Sequence, residues 1–344
     1  MSRRTVDGWA RLRDAEVSRR DALKALVGGG LVLGGAKAVD NVLVGYGVVT
    51  GTNLVDQDLA PLAAAEFAPR RGFQTAVGEY DVATTAGEVR RLRVARGDEV
   101  VVERPLADLT AATGPEHDLP DPLAGLLADL GAVARGEAIF EFHRTESFFD
   151  RIDAAEARPL ATDAVRHWPG AGAEVVGEFT DADPADPQAL LDGLTTGFRE
   201  HTFYDAPRYA AGSVQDNVIF GAADLRAPFR EPVDFASIVD GPQTGLFCYE
   251  FTNRSIEALH ALPATEQVAP VVGGAVVDDR HKHVYTVVSS LVREDGELRV
   301  PTTFVDYTHT TLNDDLRMRG LMGEGFEAYN SRHRATRIDW NPYG

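Results

Sequence analysis

One cysteine, Cys248, is the whole thiol content of 344 residues. Its solitude excludes an intrachain disulfide framework and any cysteine-rich zinc site, and it leaves the redox compartment open. Lysine is nearly as scarce: Lys24, Lys37 and Lys282 are the only three of 34 basic residues, the rest being arginine. Positive charge as a whole is short. The formal net charge of −19 disfavours nucleic acid as a partner by its sign. The apolar run 22–35 falls short of the roughly 20 residues that cross a bilayer comfortably. No internal repeat and no low-complexity tail stands out. What is present is core-forming. Hydrophobic residues make up 44% of the chain, which excludes wholesale disorder and allows one large domain or two.

Charge is unevenly spread. Residues 1–38 hold eight Lys/Arg against four Asp/Glu, so residues 39–344 carry −23. An acidic, arginine-over-lysine chain resembles proteins of salt-in haloarchaea. The resemblance implies a carboxylate surface hydrated in concentrated salt, where charges are screened within about 3 Å. The alternative is an ordinary acidic protein from a GC-rich genome. Within the basic segment, "SRRDALK" (18–24) followed by "ALVGGGLVLGGAKAVDN" resembles a twin-arginine export signal. Arg19-Arg20 is the pair, Leu23 follows three residues after the second arginine, and the next stretch is weakly apolar and glycine-rich. Ala22 stands where an aromatic residue is usual. Ala36-Lys37-Ala38 fits an A-x-A cleavage site. No cysteine follows the apolar run, which excludes a lipoprotein anchor. A second apolar run, "NVLVGYGVVTG", begins at Asn41, and without cleavage the two could hold the chain at a membrane. The resemblance implies export of a folded protein to the cell surface or beyond. An amphipathic N-terminal helix of a cytosolic protein is the alternative.

Downstream, residues 52–72 read as a linker or early helix. Alternation in "FQTAVGEYDVA", "EVRRLRVA" and "DEVVVERP" predicts a small β-meander over 73–105. "DPLAGLLADLGAVA" (121–134) predicts a helix with Asp121-Pro122 as cap and first turn, and "EAIFEFHR" a strand whose His143 has no catalytic role. The acidic, proline-rich "FTDADPADPQA" (179–189) marks a domain boundary, after which another Asp-Pro opens a helix. Three segments follow: an export signal over 1–38, an N-terminal α/β region over 39–180 that is β-rich at 73–105, and a second domain over 181–344. The segment from Arg317 onward has helix-like spacing and an aromatic end, with no chemistry assigned.

Cys248 lies in "GPQTGLFCYEFTNRSIEALHAL" (241–262). A lone cysteine is often only a small buried hydrophobe. Here Phe251, Ser255, Ala258 and Leu259 follow it at helical spacing, so a helix begins close to the thiol and ends at His260–Pro263. In that first turn the thiol meets unpaired N–H groups and the positive end of the helix dipole, which favour the thiolate. "VAPVVGGAVV" (268–277) predicts a strand. "DDRHKHVYTVVSSLVREDGELRVPTTFVDYTHT" predicts a hairpin turning at Asp295-Gly296. A two-residue turn there sets Glu294 opposite Glu297, His283 opposite Thr308 and Tyr285 opposite Asp306. His283 and Asp306 then share a sheet face as diagonal neighbours, about 7–8 Å apart at the backbone.

The order and setting of Cys248, His283 and Asp306 resemble the transglutaminase-like branch of the papain-type cysteine enzymes over residues 240–310. "QVAPVVGG" is similar to that family's strand after the cysteine helix. "HVYTVV" is similar to its His-x-aromatic strand, with Tyr285 where tryptophan is common. "FVDYT" is similar to its Val-Asp-Pro-Thr ending, with Tyr307 in place of proline. The resemblance implies an α+β fold in which the cysteine helix packs on an antiparallel sheet, beside an N-terminal β-rich region. It implies a nucleophile in Cys248, a base in His283 and an orienting carboxylate in Asp306. It also implies an oxyanion hole from the Cys248 N–H and Gln243, although the five-residue spacing to Gln243 is only approximate. The expected substrate is a protein or peptide, with no cofactor and no metal. His281, on the same face, is the other candidate base. Two rival readings remain: a metal-dependent hydrolase using His281 and His283 with Asp306 or His309, and a non-catalytic surface module of the same fold.

Overall fold

The computed structural model describes residues 57–85, 89–205, 233–241, 243–279, 283–308 and 335–341, together with residues 208, 211, 215 and 224. The segment expected to be an export signal with its cleavage site, the second apolar run, His281, His309 and most of the segment after Arg317 lie outside these residues.

The chain is mixed α and β with antiparallel sheets predominating. After a short helix at Ala60–Ala65 comes a four-stranded antiparallel meander: β1 Gln74–Val77, β2 Tyr80–Thr84, β3 Arg91–Arg96 and β4 Glu99–Pro105. The expected first strand is itself a hairpin, because Gly78 at φ 61° opens a two-residue turn between Val77 and Tyr80; a positive φ is easy only for glycine. Leu92, Val94 and Val102 from the meander's inner face pack with Leu123, Leu126 and Leu130 of the helix Asp121–Ala134. That helix starts and stops where its sequence pattern does. Its N-cap is Pro120, however, and Asp121 is already in the first turn.

The central sheet contains β5 Ile139–Phe142, β6 Glu156–Ala157, β9 Val272–Asp278, β10 His283–Ser289, β11 Val292–Glu294, β12 Glu297–Val305 and β13 Arg337–Asp339. Strands β7 Thr202–Tyr204 and β8 Thr244–Leu246 form a separate parallel pair. β10 and β11 run as one interrupted strand along β12, with β9 and β6 on their other edge. β5 pairs parallel to the far edge of β12, and β13 closes the sheet on β9. Because β5 and β6 belong to this sheet, the expected division at residue 180 does not separate two folding units. The acidic stretch there is a helix–helix connection: Thr180 ends one helix, and Asp186 caps the next, Pro187–His201, by accepting from the N–H groups of Gln188 and Ala189.

Both faces of the sheet are covered. Tyr285, Val287, Val300 and Phe304 face the meander-side core, whereas Val288 and Val305 pack with Phe198 and Phe251 from the helices Pro187–His201 and Cys248–Leu259. Burial on two faces explains why β9 and β10 read as nearly unbroken apolar runs. The glycine pair in β9 is a close-approach device. A Cβ on Gly273 would sit 3.1 Å from Ile256 of the Cys248 helix, and one on Gly274 would sit 2.7 Å from Trp340 on the opposite face.

Candidate active site

The helix Cys248–Leu259 begins with the thiol-bearing residue. Glu250 in its first turn accepts the Phe247 N–H at 2.8 Å, a local cap that fixes where the helix starts. Thr252 and Ser255 follow the cysteine on the buried side, and the Ser255 hydroxyl meets the Thr286 hydroxyl of β10 at 2.5 Å. The far end of the helix is stitched down by buried polar groups. His260 donates through Nδ1 to the Trp168 carbonyl (3.0 Å), and its Nε2 accepts the Gly273 N–H at 2.8 Å. Since Nε2 accepts, Nδ1 carries the proton, and the ring is neutral. Burial, with Arg166 nearby, pushes its pKa well below the ordinary histidine value. The Gln267 amide caps the Leu259 carbonyl at 2.8 Å.

The hairpin supplies the other two groups. Asp295 and Gly296 take φ values of 49° and 83°, as the tight two-residue turn requires. Glu294 stands opposite Glu297, and the same register continues to Thr286 opposite Val305. The strand breaks at Ser290 and Leu291, but the Ser290 N–H still reaches the Pro301 carbonyl at 3.0 Å, so no residue slips. His283 and Asp306 therefore arrive as diagonal neighbours. Nε2 of His283 lies 2.6 Å from Oδ2 of Asp306, and both side chains are buried. The other carboxylate oxygen accepts the Thr308 N–H at 3.1 Å. The Tyr285 ring stacks on the imidazole at 5.6 Å between centroids.

His283 is as fully enclosed as His260, yet it titrates in the opposite direction. Burial alone would lower its pKa. The charge and hydrogen bond of Asp306, helped by a hydrogen bond to and the charge of Cys248, outweigh burial and carry it up to about 10. A shift in this direction favours the protonated ring at neutral pH. With Nε2 committed to Asp306, Nδ1 is the ring nitrogen left for the thiol. The hairpin thus brings the imidazole to the carboxylate, and the helix start brings Cys248 to the imidazole. Burial raises the Tyr285 phenol well above its ordinary pKa, with Asp306 and Asp278 adding to the effect.

Gln243 is placed differently. Its amide donates to the Glu200 carbonyl at 3.2 Å on an exposed surface, which fastens the approach to β8. His143 follows β5, its N–H on the Thr302 carbonyl, and its ring lies 3.6 Å from Glu141. Three neighbours of the site carried no motif in the sequence. Asp278 is buried at the end of β9, directly opposite His283. Glu250 and Arg208 form an ion pair beside the turn into the helix. An acid three residues after the N-cap Phe247 was the one available signal for Glu250; Arg208 had none. Among the described residues, no group of three or more His, Cys, Asp or Glu side chains is placed to hold a metal ion.

No protein-family model, no curated protein and no solved structure matches this chain. A thiol at a helix start, an imidazole close enough for its pKa to be raised by that thiol, and a buried carboxylate on Nε2 of the ring stand in series, the residue types that a nucleophile, an acid–base and an orienter would need.

Proposed function

We propose that this chain is an exported, cysteine-dependent acyl-transfer enzyme of transglutaminase-like type that hydrolyses peptide or amide bonds. The observation that supports this most directly is the 2.6 Å contact between His283 and Asp306, on an imidazole whose pKa Cys248 also helps to raise. In this mechanism the Cys248 sulfur attacks the acyl carbon, and the Cys248 N–H donates to the developing oxyanion. His283 gives its Nδ1 proton to the leaving amine, producing a thioester. Water then adds to the thioester carbon as His283 takes its proton, and the thiolate leaves. Asp306 holds the ring and its charge throughout.

One observation favours the non-catalytic module instead: Cys248 is only 7% exposed. Alkylation separates the two readings. In the enzyme, iodoacetamide should label Cys248 in the folded protein rapidly at about pH 6, well below the range for a free thiol. Labelling only after denaturation would leave a core cysteine and no nucleophile.

The export half of the proposal rests on Arg19-Arg20 in a segment of opposite charge to the rest of the chain. Replacing both arginines with lysine should retain the protein in the cytoplasm; undiminished secretion would remove the twin-arginine reading.

A further inference from the structure

We propose that Arg208 and Glu250 are positioning residues that set both the geometry and the charge balance of the Cys248 thiol, an inference that rests on the cysteine-enzyme reading above. Arg208 is a cation with 4% exposure, and its guanidinium lies 4.0 Å over the Phe247 ring. It pairs with Glu250, donates to the Gly245 carbonyl at 3.3 Å and lies 3.5 Å from the Asp205 carboxylate. Asp205 also accepts the Arg208 N–H at 2.9 Å.

These contacts wrap the three residues that lead into the nucleophile. The Gly245 carbonyl is held by Arg208, the Leu246 carbonyl accepts the Asp205 N–H at 3.1 Å, and the Phe247 N–H is held by Glu250. Gly245 is the residue the packing permits, since a Cβ there would come 2.9 Å from the Asp205 side chain. Every constraint acts on backbone, and together they keep Phe247 extended so that the helix begins at Cys248. Removing this clamp would let the first turn fray and carry the Cys248 N–H off its line.

The clamp also has an electrostatic part. Glu250 places a carboxylate two residues from the thiol, where alone it would oppose a thiolate; Arg208 neutralises it. Other charged or titratable groups on the packed elements are His283 with Asp306 from the hairpin, Asp278 opposite His283 at the end of β9, the Tyr285 phenol stacked on the imidazole, and Asp205 against Arg208. Arg208 faces both Glu250 and Asp205, so its removal leaves those two carboxylates without their shared cation.

Opposite charge changes on the two partners should therefore move thiol reactivity in opposite directions, which simple loosening cannot do. The test is iodoacetamide labelling of Cys248 in the full chain at about pH 6 and about pH 9.5. Arg208→Ala should lower the rate at the lower pH about tenfold, and Glu250→Gln, which keeps an acceptor for the Phe247 N–H, should raise it about threefold. At the higher pH both should match the parent within about twofold. Changes of the same sign, equal changes at both pH values, or no change would overturn the proposal. If Arg208→Ala does not fold by circular dichroism, Glu250→Gln decides alone, and an unchanged rate at the lower pH sinks the idea. A parent protein whose native Cys248 does not label removes the enzyme reading, and the clamp falls with it. A parent that labels rapidly beside unresponsive variants removes only the clamp.

Discussion

Exchanging His283 for glutamine is expected to lower peptide or amide hydrolysis on the order of 10³-fold and to flatten one limb of the protein's stability against pH. In the proposed mechanism the first effect follows from losing the group that protonates the leaving amine. The second follows from the pKa of about 10 that His283 holds in the folded chain, against roughly 6.5 when unfolded. A folded value above the unfolded one means that the native state binds the proton more tightly. The stabilisation is fully present below about pH 6.5 and is lost as the pH rises through about 10. Denaturation midpoints of parent and variant across this range supply the check: the parent's advantage should shrink with rising pH, and a constant difference would contradict the assignment. Asp306→Asn should weaken hydrolysis while leaving Cys248 open to alkylation, because the carboxylate orients and does not attack.

The largest effect on stability is expected from Trp340→Ala, at about 3–5 kcal/mol. Trp340 is completely buried, its indole N–H donates to the Ala63 carbonyl at 2.7 Å, and its ring meets Phe67 edge-on at 5.0 Å. No neighbour can flow into so large a gap in a close-packed interior. Gly274→Val in β9 should also destabilise, by roughly 1–3 kcal/mol, since its side chain would collide with the same ring. The two changes together should cost clearly less than their sum, because the valine enters space the tryptophan has left. Strict additivity in denaturant titrations would show that the two positions do not share that space.

The parts of the site that were legible in the sequence are those governed by local rules. Asp295-Gly296 selects one turn, the turn selects the register, and the register brings His283 to Asp306 across 23 residues. Asp186-Pro187 likewise announces a capped helix because the cap acts within three residues. β5 was legible as a strand but not as the parallel partner of β12, because nothing local marks a partner about 160 residues away. The division at residue 180 failed for the same reason. Proline and acidic residues mark a turn reliably, but whether a turn also separates domains depends on distant pairings. Gln243 was offered by the resemblance with only an approximate spacing to Cys248, and its amide donates to the Glu200 carbonyl, a partner no local pattern marks. Arg208 was invisible because a buried arginine reads the same as a surface one until its partners are known.

The joining of the first and last described segments bears on the order in which the molecule can fold. The Gln57 amide exchanges hydrogen bonds with the Ala335 backbone, and Trp340 reaches Ala63 across 277 positions. Until a growing chain delivers Trp340, the apolar side of the helix Ala60–Ala65 and the outer edge of β9 wait uncovered. Closing so long a loop late costs little more than closing a shorter one, because loop entropy grows only with the logarithm of length. Among the described residues β13 is the last strand in sequence, and its arrival with Trp340 covers this edge of β9 and this side of the helix.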